Sequence, residues 1–180
     1  RYSAAVIVER LKYIEILSEY SMNIYSGISE NKENISVFYS KSKEIDKNSS
    51  PKDIYIQELE KIKEARKEDV IYKTTSVGPH RDDIEILING VSARSFGSQG
   101  QQRSCALALK LGESEIIKKV TGETPVALLD DVMSELDEKR QDYVLNHITD
   151  RQVFLTCCDP SQVLRLCGGK SFEIRNGEVI

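Results

Sequence analysis

The chain predicts an α/β fold built on a parallel strand pair, and three observations carry that prediction. Val126-Ala127-Leu128-Leu129 is a continuous apolar run that ends in Asp130 and Asp131, the pattern of a strand covered on both faces. A second apolar run, Val153-Phe154-Leu155, follows one helix-like segment later. Strand, helix, strand in that order is the crossover unit of a parallel sheet.

The elements follow from residue spacing. Residues 1–26 carry Ala4, Ala5, Val6, Val8, Leu11, Ile14, Leu17 and Ile24 among Glu and Arg, without Gly or Pro before Gly27, which predicts a long helix. It is apolar enough that its cover is expected from residues outside this chain, and so the chain is expected to pair with itself. Ile35, Val37 and Tyr39 alternate with Ser36, Phe38 and Ser40 in a short strand. Residues 41–52 are polar and read as a loop. Residues 53–68 resume a charged helix with Ile56, Leu59 and Ile62 on its apolar face.

Near Val70 the character changes. Residues 84–88 and 91–94 flank Asn89-Gly90, the dipeptide of a type I′ turn, and predict a hairpin. A helix is expected over 98–120, with Ala106, Leu107, Leu109, Leu111, Ile116 and Ile117 as its apolar side, closed by the segment 121–125. The buried strand 126–129, a helix over 136–148, a second buried strand over 152–156 and a terminal hairpin around Asn176-Gly177 complete the series. A division at residues 1–69 and 70–180 is expected.

Composition narrows the function classes. With 180 residues, 39% hydrophobic and 30% charged, the chain has an ordinary globular make-up. No apolar run approaches the ~20 residues that span a bilayer, so no membrane segment is expected. The net charge of −4 argues against a strong autonomous nucleic-acid binder. Cys105, Cys157, Cys158 and Cys167 lack a framework spacing and read as reduced thiols of a cytoplasmic protein. The chain starts without an initiator Met and reads as a segment of something longer.

Three clusters bear chemistry. Asp130 and Asp131 stand where α/β sheets bind ligands, at the carboxyl end of a strand. One carboxylate suits a hard Mg²⁺ ion and its neighbour can orient a water. Ser98-x-x-Gln101 is a capping box. The same helix start, with Gly100 in its first turn, also offers amides and a dipole to an anion, and spacing alone leaves the two readings even. Finally, Gly78-Pro79-His80-Arg81-Asp82-Asp83 is too polar for a core. There, Arg81 either pairs with Asp82 or Asp83 or contacts a nucleotide or DNA.

These motifs together resemble one family. Ser98-Gln99-Gly100-Gln101-Gln102 is similar to the ATP-binding-cassette signature, residues 126–131 to a Walker B strand, and Ser134-Glu135-Leu136-Asp137 to a D-loop. With the block 78–83 ahead of the hairpin, they resemble the RecF family, bacterial ATPases of DNA replication, recombination and the SOS response. The resemblance implies the C-terminal lobe of an ABC-type P-loop ATPase head with a partial helical arm or lid subdomain, residues 1–69 forming the latter. It implies ATP and Mg²⁺ as cofactors, with Asp130 holding the metal and Asp131 as the catalytic acid. Asp131 stands where Glu is usual and is one methylene shorter, which implies slow turnover.

Further implications concern assembly. Ser98, Gly100 and Gln101 would contact nucleotide in trans, Ser134 and Asp137 would lie at a dimer seam, and His80 and Arg81 are candidates for nucleotide or DNA contact. The implied partners are gapped DNA with a single-/double-strand junction, RecR and RecO, and a second copy joined on ATP binding. The alternatives are a related head of the structural-maintenance-of-chromosomes, Rad50 or RecN type, or a non-catalytic interaction module. No Walker A loop is present: Gly168-Gly169-Lys170-Ser171 mimics its end, but the first Gly would fall at Leu164 and no helix is expected after it. The chain alone is therefore expected to hydrolyse no ATP. His147 reads as a helix-face residue.

Overall fold

A computed structural model describes residues 2–45, 49–158 and 169–180. The chain forms two compact units, Arg1–Ile116 and Ile117–Ile180.

The first unit is built on helix α1 (Tyr2–Ile28), which buries Ala4, Ile7, Leu17, Ser21, Ile24, Tyr25 and Ile28. Glu30 and Asn31 then take left-handed φ values of 55° and 60° and turn the chain into strand β1 (Ile35–Tyr39). Ile35, Val37 and Tyr39 are buried and Phe38 is exposed, as the alternation predicts. Ala4 and Ile7 pack with Tyr39, Ile45 and Ile54, and Val8, Leu11 and Ile14 lie against that cluster. The expected external cover of α1 is thus corrected in part, because its buried stripe is covered by this chain. Val6, Tyr13, Ile16 and Met22 stay exposed.

A 3₁₀ turn (Ser40–Lys43) leads towards helix α2 (Pro51–Tyr72). Ser50 caps α2: its hydroxyl accepts from the Asp53 amide at 3.2 Å, and Asp53 Oδ2 accepts from the Ser50 amide at 3.0 Å. Pro51 sits at the first helical position, where its missing N–H costs nothing. The apolar face expected of this helix is corrected in part, since of Ile56, Leu59 and Ile62 only Leu59 is half-buried. Ile54 and Glu58 are its buried residues, while Ile56 and Ile62 are exposed. Glu58 escapes a hydropathy count because its burial depends on Lys41, in a segment read as plain polar loop.

Strands β2 (Ile84–Ile88) and β3 (Val91–Ser92) form the predicted hairpin, with Asn89 at φ 49° and Gly90 at φ 84°. Both central residues are left-handed, as a type I′ turn requires. β2 also pairs antiparallel with β1, from Ile35 opposite Ile88 to Tyr39 opposite Ile84. Ala93 and Arg94, expected in the hairpin, instead open the short helix α3 (Ala93–Phe96). Helix α4 (Gln99–Thr121) follows and buries Leu107, Leu111 and Ile116 with Ser104, Cys105, Ala108 and Gly112. Ala106 and Ile117, expected on its apolar side, are exposed. A Cβ at position 112 would lie 2.9 Å from Ser21 Oγ, so this glycine permits a close approach of α1.

In the second unit, β4 (Ala127–Asp130) and β5 (Val153–Thr156) are parallel neighbours, with Asp130 opposite Thr156. Helix α5 (Glu138–His147) connects them, capped by Asp137, whose Oδ1 accepts from the Arg140 amide at 3.1 Å. Leu129, Met133, Leu136, Val144 and Ile148 are buried. The prediction of strands covered on both faces is corrected: Leu128 is 74% and Phe154 57% exposed, on one face of a two-stranded sheet. β6 (Ile174–Arg175) and β7 (Glu178–Val179) form the terminal hairpin around Asn176 and Gly177.

Candidate functional site

In the second unit, β4 carries Asp130 to its carboxyl end and Asp131 breaks the strand with a left-handed φ of 51°. Asp tolerates that conformation better than most residues because its short polar side chain bonds locally. Two hydroxyls hold the corner. Thr156 Oγ1 donates to Asp130 Oδ1 at 2.6 Å and accepts the Asp131 amide at 3.0 Å. Ser134 Oγ donates to the Asp131 carbonyl at 2.9 Å. Both aspartates are exposed.

The D-loop-like turn is braced from below. Gln141, buried on α5, donates from Nε2 to the Met133 carbonyl at 2.7 Å and to the Leu136 carbonyl at 2.9 Å. Asp137 is engaged as the cap of α5 and pairs with Arg140 Nε at 3.2 Å. Thus Ser134 and Asp137, the residues assigned to a seam, both make bonds within this unit.

In the first unit, the capping box at the start of α4 is formed as the spacing predicts. The Gln101 amide donates to Ser98 Oγ at 3.2 Å, and the Ser98 amide to Gln101 Oε1 at 2.8 Å. A partner the sequence did not reveal is Glu33, whose Oε1 accepts from Gln101 Nε2 at 2.6 Å. Glu33 also accepts from Tyr25 at 2.7 Å. Gln102 Nε2 adds bonds to the carbonyls of Ala93 and Gly97, both at 3.1 Å, tying the turn to α3.

The block 78–83 is anchored by a buried charge network. Lys41 Nζ lies 2.5 Å from Glu58 Oε1 and 3.5 Å from Asp82 Oδ1, and the two carboxylate side chains are 4% and 6% exposed. Tyr39 donates its hydroxyl to Asp82, and Arg10 donates to the Pro79 carbonyl. Burial, and next the bond to Asp82, push the Tyr39 phenol up to about 12. The neighbours of Asp82 leave Arg81 outside. Its Nε donates to the Thr75 carbonyl at 2.8 Å, and His80 Nε2 lies 3.0 Å from the same oxygen. Asp83 pairs with Arg94 at 2.9 Å. The suggested Arg81 link to Asp82 or Asp83 is therefore replaced by a backbone contact.

Cys105, Cys157 and Cys158 are free thiols, and burial pushes the Cys105 thiol up to about 11; Cys167 lies outside the described residues. His147 stacks on Tyr143, with ring centroids 4.4 Å apart. Lys170 lies over the Phe172 ring, and β6 rather than a helix follows; Leu164 and Gly168 of the mimic lie outside the described residues. Among the described residues no helix is long and apolar enough to cross a membrane.

No protein-family model matches the chain. It is 43% identical over 184 aligned residues to the DNA replication and repair protein RecF of Clostridium tetani, which covers 100% of this chain and 49% of that protein. A solved structure of the recombination mediator protein RecF-ATP in the RecFOR pathway aligns with a TM-score of 0.82 at 37% identity, over 99% of this chain and 48% of that one. The chain is RecF-like. It spans about half the length of the curated relatives it matches. An SMC ATPase solved in work on ATP-driven dimerisation aligns at 14% identity with a TM-score of 0.55, over 94% of this chain and 84% of that one, a likeness of fold alone. The fold of the RecF-like chain is accordingly the α/β fold of an ABC-type ATPase head.

Proposed function

We propose that this chain is the distal part of a RecF-like ATPase that acts in recombinational repair at single-strand gaps and stalled forks and dimerises on binding ATP. The observation that carries this reading is the end of β4, where Asp130 and a left-handed Asp131 emerge together opposite Thr156. In this reading residues 1–69 serve a lid or arm and 70–180 the distal ATPase lobe.

The donor set fits Mg²⁺. Asp130 is exposed and uses Oδ1 for Thr156, which leaves its second oxygen for an ion. Among the described residues no group of three or more His, Cys, Asp or Glu could hold a metal. Asp130 alone would therefore hold the ion from this chain, as one carboxylate can for a hard Mg²⁺. When bound there, the ion would supply charge neutralisation on the transferring phosphate. Asp131 takes the proton of, or orients, the attacking water; its short side chain makes this a slow step. Ser98 and Gly100 present the amides and dipole of α4 to the γ-phosphate of a second copy, and Gln101 joins them by exchanging its bond to Glu33. Ser134 and Asp137 lie at the seam between copies. His80 and Arg81 contact nucleotide or DNA from a turn whose base is locked to the core. Gapped DNA, RecR and RecO are the partners, in the cytoplasm.

A chimera tests the reading. With this chain replacing the matching half of the Clostridium tetani RecF protein, ATP turnover is expected, and Asp131→Asn is expected to lower it about 100-fold or more. Equal turnover in the two chimeras would overturn the assignment.

A further inference from the structure

Thr156 lies in no motif of the acid end, yet it touches both of its acids. We infer that Thr156 is a positioning residue that sets the Asp130 carboxylate and the Asp131 backbone together. This rests on the reading of the β4 end as a metal and water site.

The parallel register places Thr156 directly opposite Asp130. A hydroxyl has one proton to give and lone pairs to receive. Here the proton goes to Asp130 Oδ1 at 2.6 Å, and a lone pair takes the Asp131 N–H at 3.0 Å. The first bond restrains the rotamer of Asp130, an exposed residue, and occupies only one of its two oxygens. The second pins the amide ahead of Cα131, while Ser134 Oγ pins the carbonyl behind it at 2.9 Å. With both peptide groups held, the left-handed φ of 51° is fixed, and so is the direction in which the Asp131 side chain leaves the strand. Without the Thr156 hydroxyl, Asp130 regains rotamer freedom and residue 131 can relax towards the right-handed region favoured by L residues. Partners of this kind around a metal ligand typically change metal affinity by about 10–100-fold.

The test uses the isotope-labelled chain with Mn²⁺ alone as the probe. Paramagnetic broadening of the Asp130 and Asp131 amide signals is followed against Mn²⁺ concentration, together with hydrogen exchange at the Asp131 amide. Thr156 is exposed and Val keeps its β-branched shape, so Thr156→Val should fold; Thr156→Ser keeps the hydroxyl and supplies the rescue. In Thr156→Val the Mn²⁺ concentration for half-broadening should rise about 10-fold or more, and Asp131 exchange should quicken up to about 10-fold. Thr156→Ser should behave as the unaltered chain in both. Unchanged Asp131 exchange, or the same Mn²⁺ profile in Thr156→Val, overturns the role of Thr156. If Mn²⁺ broadens neither signal in the unaltered chain, the metal-site reading falls, and the exchange measurement still decides whether Thr156 holds Asp131.

Discussion

Replacing Lys41 with Met should destabilise the first unit by about 3–5 kcal/mol, the usual cost of stripping a buried charge of its partner. At an effective dielectric of about 20, an ammonium 2.5 Å from one carboxylate and 3.5 Å from another gains roughly 7 and 5 kcal/mol. Much of that offsets the several kcal/mol spent desolvating each ion. Removing Lys41 recovers its own desolvation but leaves Glu58 and Asp82 buried and facing each other without it. The chain has no Trp, so a urea melt followed by far-UV circular dichroism is the suitable assay. With a slope near 2 kcal/mol/M, the midpoint should fall by about 1.5–2.5 M. The triple variant Lys41→Met, Glu58→Gln, Asp82→Asn should recover much of the loss, because no bare charge remains. A loss under about 1 kcal/mol, the range of exposed pairs, or a triple variant no more stable than the single one, would refute the reasoning.

Other expectations concern the cap and two titrations. Ser98→Ala removes the hydroxyl that accepts the Gln101 amide and should cost about 1 kcal/mol in the same melt. Tyr39 holds its proton up to about 12, against an unfolded value near 10. Its contribution is therefore complete below pH 10 and is lost as pH rises through 12. Tyr13 and Tyr143 are also raised by burial, so absorbance titration of the eight tyrosines should show a drawn-out alkaline limb whose phase at about 12 is removed by Tyr39→Phe. Lys118, and then Arg151, lower Asp150 to about 2, so its contribution is present above about pH 3.9 and fades as pH falls through 2. Its side chain is 43% exposed, so solvent screening keeps the effect below about 1 kcal/mol. Lys118→Met should flatten the acid limb of the second unit's stability curve, and salt should mimic part of that change.

What the sequence made legible was local. Asn89-Gly90, the alternation of Ile35, Val37 and Tyr39, and the reciprocal pair Ser98 and Gln101 each act within a few residues, and each forms as read. What stayed hidden depends on partners distant in sequence. Glu58 lies inside because Lys41, 17 positions away, meets it there. Glu33 reaches Gln101 across 68 positions, and Thr156 reaches Asp130 across 26. The apolar runs 126–129 and 153–155 signalled parallel strands correctly, but hydropathy cannot say which neighbour covers each face, and Leu128 and Phe154 lie open. The acids, the signature turn and Ser134 could be named from their motifs, whereas Thr156 and Glu33, which engage them from a distance, lie outside those motifs.

The double commitment of Gln101 bears on how this turn would discriminate among ligands. Its carbonyl oxygen serves the Ser98 amide and its nitrogen serves Glu33. Any contact it makes with an incoming phosphate is then a swap of one hydrogen bond for another, and a swap contributes little net free energy. Glu33 also places a negative charge behind the turn, which repels an anion that arrives in the wrong pose. Position 101 would thus act as a selector of geometry more than a source of affinity. A ligand would be retained for matching the turn, and one that does not match would find the original bond to Glu33 already restored.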